Sequence, residues 1–121
     1  MVWKMEYRFK KNPKIDREGW EIEKLHNMLT EANIEHFYEE RFKGAMDMGN
    51  GWDWGYQITI YDDNGNRILS AIEGAGGYGF EDNLIEIMGL LTPEEQESEA
   101  VKGWLTAEEV FKRIEGYYAM L

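Results

Sequence analysis

Residues 2–9 alternate, with Trp3, Met5, Tyr7 and Phe9 forming a wholly apolar face opposite Val2, Lys4, Glu6 and Arg8. A period of two puts neighbouring side chains on opposite faces of an extended chain, so a strand is expected here. Asn12-Pro13, within Lys10 to Lys14, ends the alternation, and Asp16 stands where a helix N-cap is expected. Ile22, Leu25, Leu29 and Ala32 then recur at helical spacing, which predicts a helix over about 17–32 stopped by Asn33. Over 34–42, Phe37, Glu39 and Arg41 alternate with Tyr38, Glu40 and Phe42, a charge-rich pattern that suits an edge strand.

Residues 55–73 read as a β-hairpin, with Gly55 to Asp63 and Asn66 to Glu73 flanking Asn64-Gly65. Asn-Gly fits a type I′ turn, whose two central residues need positive φ. That turn pairs Asp63 with Asn66 and sets Asp62 opposite Arg67, Ile60 opposite Leu69 and Ile58 opposite Ala71. After the glycine cluster at 74–79, Leu84, Ile85, Met88 and Leu91 predict a short helix over about 82–90, loosened at its end by Gly89. Thr92-Pro93-Glu94-Glu95 and Thr106-Ala107-Glu108-Glu109 each match a capping box. At the second, Leu105 and Val110 stand at the positions of a hydrophobic staple, and Val110, Phe111, Ile114 and Tyr117 or Tyr118 continue the stripe. The expected fold is α+β, with an antiparallel sheet of about four strands, including the 55–73 hairpin, packed on three to four helices.

A length of 121 residues suits one domain spanning 1–121, and 14% aromatics supply large side chains for a core. No linker, repeat or low-complexity run divides it. The chain has no cysteine, which excludes disulfides, thiolate metal sites and a thiol nucleophile. Charges at every second or third position of the N-terminal segment do not fit a secretory signal or a membrane span, so a cytoplasmic location is expected. With 13 basic against 24 acidic residues the net charge is -11, which repels nucleic acid and anionic lipid and favours solubility or docking to a basic protein surface.

Catalytic sets are sparse. The two histidines, His26 and His36, belong to no i,i+4 pair and no His-Glu motif, so metal catalysis is not expected. Carboxylates are too numerous for the proximity of any two to signify acid–base chemistry. Asp62, Asn64, Asn66 and Glu73 have some of the spacing of a calcium loop, but Arg67 occupies the position that needs glycine. Glu94, Glu95, Glu97 and Glu99 read as a solvated helix face. A non-enzymatic protein without metal or cofactor is therefore expected.

Two segments mix glycine with aromatics, Gly49-Asn50-Gly51-Trp52-Asp53-Trp54-Gly55 and Gly74-Ala75-Gly76-Gly77-Tyr78-Gly79-Phe80. One enters the hairpin and the other leaves it, so both should meet at the end opposite Asn64-Gly65. Trp52, Trp54, Gly76, Gly77, Tyr78, Gly79 and Phe80 form the candidate ligand-binding set. The rings suit stacking on a base or gripping a partner's side chain, and the glycines before the expected 82–90 helix suit an anion cradle. The structural alternative is that the glycines shape turns while the rings complete the core. Asp53, Glu73, Glu81 and Asp82 oppose a phosphate there, so its cations would have to come from Arg41, Lys43, Lys102, Lys112, Arg113 or a neighbouring subunit of a homo-oligomer.

The run Ser70-Ala71-Ile72-Glu73-Gly74-Ala75-Gly76-Gly77-Tyr78-Gly79-Phe80-Glu81 and the following Leu84-Ile85-Glu86-Ile87-Met88-Gly89-Leu90-Leu91 resemble small uncharacterised proteins of phages and prophages of Gram-positive bacteria. Val101-Lys102-Gly103-Trp104-Leu105-Thr106-Ala107-Glu108-Glu109-Val110-Phe111 extends the resemblance over roughly residues 55–115. Those proteins often carry a serine before the Tyr-Gly pair, where Gly77 stands here, so a role for that hydroxyl is not carried over. The resemblance carries no known activity, but small acidic accessory proteins of phages often block host immunity, so a phage origin favours an accessory protein that docks a host defence protein in the bacterial cytoplasm, similar in strategy to anti-CRISPR proteins. Two other expectations are a sponge for a nucleotide immune signal, held by the Gly76 to Gly79 turn, and a phage assembly or regulatory accessory.

Overall fold

The computed structural model describes residues 19–40, 55–74, 78–98 and 100–121. The expected strand at 2–9, the Asn12-Pro13 break, the cap at Asp16, Arg41 and Phe42, and the segment from Gly49 to Trp54 lie outside the described residues. Helix α1 spans Glu21–Glu31, and strands β1, β2 and β3 span Phe37–Glu40, Gly55–Tyr61 and Arg67–Gly74. A 3-10 turn at Phe80–Asp82 is followed by β4 (Ile85–Met88), α2 (Pro93–Ser98), β5 (Lys102–Leu105) and α3 (Ala107–Ala119). The strands form one sheet in the order β1-β2-β3-β4-β5, every neighbouring pair antiparallel. The fold is thus α+β, with five strands among the described residues where about four were expected.

One face of the sheet holds the core. Ile58 and Ile60 of β2, Leu69 and Ala71 of β3, and Ile85 and Ile87 of β4 are fully buried. They share a single cluster with Ile22, Leu25 and Leu29 of α1 and Val110 and Ile114 of α3. Helix α1 crosses β2 and β3 and lies beside α3. Its C-terminus closes as a Schellman motif, with Asn33 left-handed at φ 58°, its N–H donating to the Thr30 carbonyl at 3.1 Å and the Ile34 N–H to Leu29 at 2.9 Å. Asn33 is therefore the stop that the sequence predicts.

Helix starts are capped by chemistry of two ranges. At α3, the Thr106 hydroxyl accepts from the Glu109 N–H (3.1 Å) and the Glu109 carboxylate from the Thr106 N–H (2.9 Å); at α2, Thr92 and Glu95 make the same exchange at 3.2 and 2.8 Å. Both capping boxes form as read. At α1, Trp20 occupies the N-cap and its side chain does not cap the helix; Glu73, at the far end of β3, accepts the Ile22 N–H at 2.9 Å instead.

Two expectations need correction. The hairpin core has the predicted register, with Ile60 opposite Leu69 and Ile58 opposite Ala71, but Arg67 faces Tyr61 across a bulge, not Asp62. Gly65 is left-handed (φ 82°) while Asn64 is not, so the turn is not type I′. The Asp62 carboxylate accepts the N–H groups of Asn64 (2.9 Å) and Asn66 (2.8 Å), which draws the loop into an i to i+3 turn closed by a left-handed glycine. The extra loop residue is absorbed by the bulge, leaving the core register intact.

The helix expected over 82–90 is absent, and β4 takes its place. Ile85 and Ile87 alternate into the core while Glu86 and Met88 point away. Left-handed backbone at Asn83 (φ 60°), Gly89 (96°) and Leu90 (54°) brackets the segment and stops helical hydrogen bonding from entering it. An apolar run this short matches both periodicities, and pairing with β3 decides. Strand β5, four residues with Gly103 among them, carries too little alternation to be read in advance.

Candidate functional site

The open end of the hairpin is formed by Gly55 opposite Gly74. At Gly55 (φ 149°) a Cβ would lie 2.2 Å from the Glu73 carbonyl oxygen, so no other residue fits without moving backbone. Trp52, Trp54, Gly76 and Gly77 lie outside the described residues. The remaining three candidates diverge. Gly79 takes φ 101°, and the chain turns there so that Tyr78 faces solvent, 53% exposed, while Phe80 enters the core at 7% against Trp20, their ring centroids 5.9 Å apart. Phe80 therefore builds the fold, and Tyr78 is the ring on the surface.

Its partner is Trp104 of β5, a residue that the sequence reading did not single out. The two rings stack with centroids 5.7 Å apart at 11°, and Trp104 is 55% exposed. Glycines let the backbones beneath them touch. A Cβ on Gly103 would lie 2.4 Å from the Tyr78 Cβ, and one on Gly79 would lie 2.9 Å from the Trp104 nitrogen. Through this gap the Trp104 N–H donates to the Tyr78 carbonyl at 3.3 Å. The β4–β5 register shifts between Ile85 and Ile87, so a bulge places the Gly103-Trp104 peptide, and Trp104 is left-handed at φ 56°. Bulges re-aim side chains, and this one turns the indole outward while Leu105 stays buried. The available signal was Gly103-Trp104 immediately before the Thr106 cap, an aromatic next to glycine just outside a well-marked helix.

Carboxylates surround the pair. Asp82 Oδ2 accepts the Trp104 indole N–H at 3.1 Å, which fixes the indole, and Glu86 Oε1 accepts the Tyr78 backbone N–H at 2.8 Å, which fixes the backbone that carries the second ring. Among the described residues Glu81, Asp82 and Glu86 enter no ion pair with a basic side chain. The anion cradle expected from a helix start at 82 has no α-helix to supply it. A three-residue 3-10 turn carrying Glu81 and Asp82 stands there. The electrostatics of the site favour a cation.

The histidines meet elsewhere, which their sequence spacing did not show. His36 Nδ1 lies 2.7 Å from the Ile34 carbonyl, so it carries the proton, and His36 Nε2 accepts from His26 Nδ1 at 2.8 Å. The His26 ring stacks on Tyr38 at 4.3 Å. Burial and then the neighbouring His36 hold the His26 pKa below its usual value, against a smaller opposing effect of Glu23. Among the described residues no group of three or more His, Asp or Glu converges as a metal site, and no helix is long and apolar enough to cross a membrane. No family model, curated protein or solved structure matches the chain.

Proposed function

We propose that this chain is a non-enzymatic docking module of phage type, acting in the bacterial cytoplasm to inhibit a host antiviral defence protein by covering a basic surface of it. The observation that carries this reading is the Tyr78–Trp104 stack, two rings each more than half exposed and held outward by a bulge and by Asp82 and Glu86. Exposed aromatic side chains on a rigid frame are the usual energetic centre of a protein interface. A net charge of -11 adds attraction to surfaces that otherwise hold nucleic acid. The resemblance of residues 55–115 to phage and prophage proteins supports the biological setting.

The reading is tested by mixing the full chain with candidate host nuclease effectors and measuring complex formation between about 50 and 500 mM salt, a range over which screening weakens exposed charge pairs. A complex that weakens with salt and is lost in Trp104→Ala is the expected result. No complex at low salt with any effector, together with thermal stabilisation by a cyclic nucleotide, would transfer the aromatic pair to the nucleotide-sponge reading; saturation at 100 times Kd adds about 2.7 kcal/mol.

A further inference from the structure

We infer that the Tyr78–Trp104 pair with Asp82 is a receptacle for an arginine side chain of the partner, an inference that rests on the docking reading and names the chemistry it recognises. The rings lie 5.7 Å apart, too close for a third plane between them, so the guest must lie on an outer ring face or along the shared edge. The indole N–H marks that edge, and Asp82 sits on it: Oδ2 holds the indole, and Oδ1 has no donor among the described residues. A guanidinium stacked on the indole face would bring its N–H fork within reach of this carboxylate.

Charge and shape select the same guest. Two acidic side chains, Asp82 and Glu86, bond to the pair, Glu81 precedes Asp82 in the chain, and none of the three is paired with a basic group among the described residues, so the surroundings attract a cationic guest over an anionic one. A planar, weakly hydrated guanidinium stacks on an aromatic face and forks onto a carboxylate at once, whereas an ammonium does only one of these well and is more strongly hydrated. The geometry is also prearranged. Gly79 and Gly103 admit no Cβ, and Trp104 keeps left-handed backbone, so the pair is held open to solvent before any guest arrives.

The test uses the full chain labelled with ¹⁵N, the Trp104 indole N–H being assigned by its loss in Trp104→Phe. An oligo-arginine peptide and an oligo-lysine peptide of equal length are titrated in. The Trp104 and Tyr78 signals should shift with arginine at an affinity roughly two- to fivefold tighter than with lysine, as cation–π contacts at exposed sites allow. Asp82→Asn, which keeps the shape of the edge and removes its charge, should reduce that preference, and Trp104→Ala should abolish it. Equal affinities for the two peptides, or an arginine preference unchanged in both Asp82→Asn and Trp104→Ala, would overturn the inference. Failure here alongside a Trp104-dependent complex with a defence protein would leave the docking reading standing with an apolar occupant. Arginine preference without any such complex would keep the receptacle and remove the defence setting.

Discussion

Trp104 combines two features that a residue chosen for stability alone would not carry. Its ring is more than half exposed, and its backbone lies at φ 56°, where an L side chain crowds the following carbonyl at a cost of about 1–2 kcal/mol. Strain of this kind persists where the surrounding structure over-determines it, and it clusters at functional positions. Replacing Trp104 by glycine removes the strain and the ring together, whereas alanine removes only the ring. Chemical denaturation should therefore find Trp104→Gly more stable than Trp104→Ala by about 1 kcal/mol, both variants being equally deficient in binding. Equal stabilities would show that φ at this position is not held by the fold. Gly103 is constrained from the other side, because any Cβ there strikes Tyr78.

At the scale of elements, two buried carboxylates join pieces distant in sequence. Glu73 of β3, 1% exposed, accepts the Ile22 N–H in the first turn of α1, and Glu21 at the start of α1 accepts the Ala107 N–H in the first turn of α3 at 2.8 Å. Each carboxyl oxygen meets an amide that the helix itself cannot satisfy, in the helix's first turn. The result is a relay from sheet to first helix to last helix that fixes how the helices sit on the core. Glu73→Ala leaves the buried Ile22 N–H without this acceptor and should cost about 1–3 kcal/mol by denaturant midpoint, with Glu73→Gln, which keeps an oxygen, costing less. A neutral Glu73→Ala would mean that α1 is seated by its apolar stripe alone. Helix α2 buries no side chain and depends on the fork in which Arg113 donates to Glu95 at 2.7 and 2.9 Å and to the Leu90 carbonyl at 3.0 Å.

For the molecule as a whole, acid should weaken the fold in two separate ranges. His26 has a folded pKa below the unfolded one, so the unfolded chain binds more protons and stability falls as pH drops below about 6.5 toward the folded value. The bonds from Arg113 and the Thr92 N–H pull Glu95 from 4.5 to about 2, so its contribution is complete above 4.5 and disappears as pH falls through 2. Acidification also relieves the self-repulsion of a chain at -11, an opposing effect that wild type and a single variant share almost equally. Melting temperatures from pH 8 to 2 should therefore decline less steeply for His26→Gln below 6.5 and for Glu95→Gln below 4.5. A slope unchanged by His26→Gln would show that the histidine pair is not coupled to folding.

Features with local causes could be read directly from the chain. The two capping boxes, the Asn33 stop, the apolar stripe of Ile22, Leu25 and Leu29, and the pairing of Ile58 and Ile60 with Ala71 and Leu69 each depend on residues a few positions apart or on one short turn. The same holds for the pairing of Gly55 with Gly74, since the hairpin register leaves these strand ends no other place. Contacts between distant residues decided the rest. Ile85 to Met88 became a strand because β3 offered a pairing edge, Phe80 turned inward because Trp20 lies beneath it, and Tyr78 found Trp104 because two glycines and a bulge brought β5 against the turn. Periodicity records which residues prefer burial; which edge, ring or carboxylate they meet is set only when elements separated by tens of residues pack together.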